Sequence, residues 1–273
     1  MPLPENSRLK PFILQRKDQL TKAKARRSLG QMQGKIGEMP LTLGFQGALA
    51  AKFKETGAPV VIAELKGGSP FDPGFRMMVP YKDLAEDFEA VGAGALSVAV
   101  ERQTFRGSAS DLATVRGAVG LPVMAQDIIF DVYQILEARL AGADAVILSA
   151  ALLGDKLGAF RERAAAIALD ALVQVHTPAE VELALASGAD FICVTNRDLH
   201  TFELKPGTCE ALLPLVPADK AFLVAEGGLS TADERTRLGA LGAKAMLVGS
   251  ALMKDPDPAG VLEKILGVEA PAE

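Results

Sequence analysis

The chain is poor in the residues from which stapled, metal-held and membrane-spanning folds are built. It has two cysteines, Cys193 and Cys209, and two histidines, His176 and His200, among 273 residues. Their spacing fits no metal-ligand pattern and cannot supply a disulfide framework, so neither a metal site nor a covalent scaffold is expected. Cys193 stands inside an apolar strand pattern and reads as core. No run of 18 apolar residues and no signal peptide is seen, so no membrane contact is expected and the protein is read as cytoplasmic and reduced. Excess positive charge is also missing. A formal net charge of −5 argues against a nucleic-acid or anionic-membrane surface. An anionic small molecule would have to be met by local cations and backbone amides. No Ser/Pro/Gly-rich linker divides the chain, so residues 1–273 are read as one domain, with a monomer as the expected state and no cofactor.

Hydrophobic residues make up 49% of the chain and charged residues 23%, which is ordinary globular usage. Residues 8–35 are basic and helical in pattern, with Ile13, Leu14, Leu20 and Ala23 forming an apolar stripe among Arg and Lys. A basic helix face is usually a solvated one, so helix packing is the favoured reading over nucleic-acid binding. A second short helix is predicted over 44–54.

A repeat then carries the fold. Gly92-Ala-Gly-Ala-Leu-Ser-Val98, Gly142-Ala-Asp-Ala-Val-Ile-Leu148, Gly188-Ala-Asp-Phe-Ile-Cys-Val194 and Gly242-Ala-Lys-Ala-Met-Leu-Val248 recur about 50 residues apart. Each glycine suits the residue after a helix end, where positive φ is needed, and each leads into a buried strand. Four further apolar runs, 60–65, 121–125, 171–175 and 221–225, alternate with them. Amphipathic stretches over 81–90, 131–141, 178–187 and 231–241 lie between. Near-continuous apolar strands are what parallel sheets require. Eight βα units predict an α/β fold, a (β/α)8 TIM barrel over 60–267 with an N-terminal helical extension over 1–59. A doubly wound sheet is the competitor, and the even period argues against it.

In such a barrel the chemistry sits at the C-terminal strand ends. The first predicted strand runs Val60-Val-Ile-Ala-Glu-Leu-Lys66 and breaks at Gly67-Gly-Ser-Pro70. Alternation puts Ile62, Glu64 and Lys66 on one face. A carboxylate and an ammonium there are either a structural ion pair or the floor of an active site, because neither is cheap to bury alone. The loop 71–76 is long enough to serve as a lid. Other strand ends carry Gln126-Asp127, Gln174, Asn196-Arg197-Asp198, Glu226-Gly227-Gly228 and Gly249-Ser250. Two glycine-bearing ends on adjacent strands, with a capping box from Ser230 or Thr231 to Asp233 or Glu234, predict a phosphate cradle. Lys66 has three readings: a salt-bridged structural lysine, a Schiff-base nucleophile, or an acid and anion holder. Neighbouring carboxylates favour the charged ammonium and so the acid role.

These residues resemble the indole-3-glycerol phosphate synthase family of tryptophan biosynthesis over nearly the whole chain. The resemblance rests on Phe12-Ile-Leu-Gln-Arg-Lys-Asp-Gln-Leu20 and Lys22-Ala-Lys-Ala-Arg26, on Ile62-Ala-Glu-Leu-Lys66 with Ser69-Pro70, and on Phe105-Arg-Gly-Ser108, Asn196-Arg-Asp-Leu199, Val224-Ala-Glu226 and Val248-Gly249. It implies a lyase that closes the ring of 1-(2-carboxyphenylamino)-1-deoxyribulose 5-phosphate with loss of carbon dioxide and water. It implies that Lys66 holds and protonates substrate groups, that Glu64, Asn196 and Glu226 position the amine and hydroxyls, and that Ser69, Gly228, Gly249 and Ser250 hold the phosphate. Pro70, Phe105, Arg197, Leu199 and Gly227, inside or beside those motifs, complete the expected binding set. Three positions depart from the family pattern. Gln126 stands where the family has an acid lysine, Gln174 where it has a glutamate, and Gly227 where it often has serine. An amide donates and accepts hydrogen bonds but releases no proton at neutral pH. Two alternatives therefore stay open: a paralogue acting on a different phosphorylated substrate, and a barrel that binds a phosphorylated ligand without turnover.

Overall fold

The computed structural model describes residues 3–72, 74–75 and 80–268. Of the lid expected over 71–76, Pro73 and Arg76 lie outside the described residues, as does the tail from 269. Eight parallel strands close on themselves: β1 (Val60–Leu65), β2 (Ala95–Ala99), β3 (Val123–Gln126), β4 (Ala145–Ser149), β5 (Asp170–Val175), β6 (Phe191–Thr195), β7 (Phe222–Glu226) and β8 (Ala245–Val248). Each strand pairs with its sequence neighbours and β8 returns to β1, so no edge is left exposed. Tyr81–Val91, Ala109–Ala118, Val132–Leu140, Leu157–Ala165, Pro178–Ala186, Ala232–Ala240 and Pro258–Leu266 are among the helices that pack outside. The (β/α)8 barrel is as the repeat predicts. The four repeat glycines, Gly92, Gly142, Gly188 and Gly242, all take positive φ, between 76° and 112°.

Alternation along the strands sorts the apolar residues into two cores. Val61, Ala63, Leu65, Leu96, Val98, Val146 and Leu148 face outward, against the helices. Val60, Ile62, Met124, Ile147, Leu172, Phe191, Cys193, Phe222, Val224 and Leu247 fill the barrel's interior. Phe45 and Leu49, both fully buried, belong to this inner cluster. They come from the helix Phe45–Thr56, which stoppers the end where the strands begin.

The basic N-terminal stretch forms two helices, Lys10–Arg26 and Leu29–Ile36, rather than one. The break falls at Ser28, whose hydroxyl accepts from the Gln31 N–H while the Gln31 side chain accepts from the Ser28 N–H. This capping box starts a new helix where the first would otherwise continue. The extension runs the height of the barrel. Leu9 and Ile13 pack with Phe202 at the mouth, Leu20 and Met32 with Tyr133 and Leu136 on the flank, and Phe45 fills the base. Its charges are only partly solvated. Arg16 pairs with Asp127 and with Glu137, each at 3.0 Å, which ties the first helix to the loop that follows Gln126.

Candidate active site

At the C-terminal strand ends the inward positions change from apolar to polar. Two residues further along the strands, on the same face as the buried Ile62, Leu172 and Val224, stand Glu64, Gln174 and Glu226. They open onto a cavity of about 310 Å³, within the usual size of a small-molecule site. Its wall carries Glu64, Lys66, Pro70, Phe105, Gln126, Gln174, Arg197, Leu199, Glu226, Gly227, Gly228, Gly249 and Ser250. Thirteen of the fifteen residues expected to form the site are thus brought to one cavity.

Asn196 and Ser69 are placed elsewhere. Asn196 Oδ1 accepts the Cys209 N–H at 2.9 Å and its Nδ2 donates to the Gly227 carbonyl at 3.1 Å, so this amide builds the turns beneath the wall. Strand alternation accounts for it: Phe191 and Cys193 point inward, so Thr195, not Asn196, faces the interior. Ser69 accepts the Phe71 N–H at 3.2 Å and borders a side pocket with Arg8, Thr104 and Arg106.

Lys66 Nζ donates to Glu64 Oε2, and both side chains are almost wholly buried. The pair is seated against a bare backbone. A Cβ on Gly249 would stand 1.8 Å from Glu64 Oε2 and 2.8 Å from Lys66 Nζ, so glycine is required there for contact reasons. Gly227 and Gly228 take φ of +95° and +73°. A Cβ at Gly227 would lie 2.9 Å from the Asn196 nitrogen and one at Gly228 2.7 Å from Leu204 Cδ2. The serine expected by resemblance at position 227 does not suit this turn.

Glu226 is handled differently from Glu64. No cation touches it among the described residues. Its Oε1 accepts from the Gln174 amide, and the Thr195 hydroxyl and Cys193 thiol are neutral neighbours that favour its charged form. Burial raises its pKa above the ordinary carboxylate range, those neighbours pull it partly back, and the charge of Glu64 adds to the rise. The Cys193 thiol is pushed far up by the same burial. Two carboxyl groups in one cavity therefore differ in state, one ion-paired and one with raised proton affinity. Such a division marks acid–base work.

Gln126 Oε1 is buried and has no hydrogen-bond partner among the described residues, although its side chain borders the cavity. A buried polar atom left unpaired costs about 1–3 kcal/mol and is resolved when a ligand group reaches it.

The upper wall is aromatic. Phe12, Phe71, Phe105 and Phe202 line the cavity, with Phe71 and Phe202 edge to face at 5.1 Å. The Arg197 guanidinium lies 4.0 Å from the centre of the Phe71 ring and donates to the Phe202 carbonyl at 2.8 Å. Phe12 and Phe202, and the rim residues Leu9, Ser149 and Lys254, were not among the expected site residues. Lys254, one turn beyond Ser250, pairs with Asp72 at 2.6 Å across the mouth. Its offset from Gly249-Ser250 was the one available signal for it; Phe12 was visible only as the first residue of a family motif, and Phe202 gave none.

Comparison with known proteins bears on the same constellation. Residues 9–265 match the family model described as indole-3-glycerol phosphate synthase. A Nocardioides protein named indole-3-glycerol phosphate synthase is 42% identical over 80% of this chain and 84% of its own. A Polaromonas protein of the same name is 36% identical over 96% and 98%. Among solved structures, a mutant tryptophan synthase α-subunit from Pyrococcus furiosus superposes with a TM-score of 0.58 at 15% identity, over 77% of this chain and 99% of its own. A thiamine phosphate pyrophosphorylase from the same organism gives 0.56 at 17% identity, over 77% and 94%. At that identity these two speak to the barrel alone.

Proposed function

The chain belongs to the indole-3-glycerol phosphate synthase family, and from that premise we propose that it is a carboxy-lyase whose proton chemistry rests on Lys66 and Glu226. The substrate is 1-(2-carboxyphenylamino)-1-deoxyribulose 5-phosphate. One observation carries the reading: the buried Lys66–Glu64 pair and the buried Glu226, which no cation touches among the described residues, open onto the same cavity. The family relatives favour neither alternative left open by the sequence.

The aryl ring has an apolar place among Phe12, Phe71, Phe105 and Phe202. The phosphate is assigned to the wall of Gly228, Gly249 and Ser250, with Lys254 at its rim. Close backbone approach and the free N–H groups at a helix start suit an anion there. Ser69 is left out of this set because it borders the side pocket and its hydroxyl oxygen accepts the Phe71 N–H.

Lys66, held by Glu64, gives a proton to the ketone oxygen as the ring carbon bearing the carboxylate bonds to the ketone carbon. Carbon dioxide then leaves and its bonding electrons return to the ring. The new hydroxyl departs as water with a second proton delivered through Lys66. Glu226 takes the proton lost from the methylene carbon beside the nitrogen. Two protons are delivered and one is recovered, so each turnover takes up one proton from solvent, matching the conversion of a carboxylate to carbon dioxide. Gln174 supplies no proton; its amide holds Glu226. Because each positioned acid or base is worth about 10²–10⁴-fold, turnover is expected well below that of a site with lysine and glutamate at 126 and 174. We place the enzyme in the cytoplasm, as expected of a biosynthetic enzyme; among the described residues no helix is long and apolar enough to cross a membrane.

The test is direct. Adding the substrate to purified protein should give the fluorescence of indole-3-glycerol phosphate, lost in Lys66→Met. No product from folded protein, at any enzyme concentration, would overturn the assignment.

A further inference from the structure

Thr195 stands at the end of β6, directly across the sheet from Glu226 in the β6–β7 register. It is 1% exposed. Its hydroxyl oxygen accepts the Arg197 N–H at 3.1 Å. With one lone pair engaged by that amide, the hydroxyl proton is free to turn toward the Glu226 carboxyl, its register neighbour on the next strand. The same side chain therefore touches two parts of the site. On one side is the carboxyl. On the other is the start of the segment that sets the Arg197 guanidinium over the Phe71 ring.

We propose that Thr195 is a positioning residue for Glu226: anchored by the Arg197 amide, its hydroxyl donates to and aims the carboxyl that takes the substrate proton. This rests on the assignment of Glu226 as the proton acceptor. The contrast with Cys193 supports it. Cys193 also faces Glu226 but is a weak donor, and no backbone N–H bonded to its sulfur is seen among the described residues. The Gln174 amide holds the other side, at Oε1. Of these neighbours, Thr195 alone also accepts from the Arg197 amide, at the start of the segment that leads to the aromatic wall.

The experiment compares Thr195→Val, which keeps shape and removes the donor, with Thr195→Ser, which keeps the donor. Isotope-labelled glutamate carboxyls are titrated by NMR, and the Glu226 signal is identified by its loss in Glu226→Gln. Thr195→Val is expected to move the Glu226 titration about one unit upward, as loss of a donor to the charged form requires. The acidic limb of kcat/KM should move with it, and Thr195→Ser should restore both. If Thr195→Val unfolds, Thr195→Ala serves the same comparison. A Glu226 titration unmoved in the donor-free variants overturns the proposal, whatever their turnover. Full turnover by Glu226→Gln would instead remove the proton role from Glu226, and the NMR titration would still report on Thr195 independently.

Discussion

Replacing Gly249 by alanine puts a methyl group where the Glu64–Lys66 pair sits. The added Cβ would lie 1.8 Å from Glu64 Oε2 and 2.8 Å from Lys66 Nζ. Reaching even a tight 3.0 Å contact requires the carboxylate to retreat by about 1.2 Å, in a layer packed as densely as an organic crystal. The backbone cannot give way easily, because β1 is bonded to β2 on one side and β8 on the other. The side chain must leave its rotamer, and the ammonium loses its partner. An uncompensated charge in a buried pair costs about 3–5 kcal/mol. For a chain of this size that is a fall in melting temperature of about 6–20 °C. Circular dichroism melts near neutral pH measure it, alongside product fluorescence, which should fall steeply. Gly47→Ala is the control. Gly47 lies inside the helix Phe45–Thr56 and its Cβ would meet nothing within 4 Å, so a gain of about 0.5–1 kcal/mol is expected. If Gly249→Ala melts within about 2 °C of the parent and keeps its turnover, the pair is not held against that backbone and the geometry of the site is wrong.

Other expectations follow from the same wall. Gln126→Lys with Gln174→Glu should raise turnover by orders of magnitude, about 10²–10⁴-fold for each acid or base that becomes productive. A collapse of substrate affinity in that double variant would mean that the two amides serve the present ligand as they are. Glu226→Gln should abolish product formation yet stabilise the fold near neutral pH. The folded carboxyl has a raised pKa because of burial. Its contribution to stability is therefore present below the ordinary carboxylate pKa and is lost as pH rises through the raised value. The amide avoids that loss, so its advantage in melting temperature should vanish in acid and grow toward neutrality. A constant difference across pH would contradict the raised pKa.

Sequence alone determined the architecture and most of the site. Near-continuous apolar strands, repeat glycines after helix ends and the phase of Ile62, Glu64 and Lys66 are local properties, and each holds in the folded chain. The capping box at Thr231 and Glu234 was legible for the same reason. What tertiary structure decided are relations between distant parts of the chain. The motif Asn196-Arg-Asp-Leu199 drew attention to Asn196, but the strand ends one residue earlier in phase, and only the β6–β7 pairing sets Thr195 against Glu226. Phe12 and Phe202, far apart in the sequence, meet over the mouth at 5.7 Å. The need for glycine at 249 is a matter of two side chains on another strand. Hydrophobic period and turn chemistry are written residue by residue; which atom shares a buried volume with which is settled only when the barrel closes.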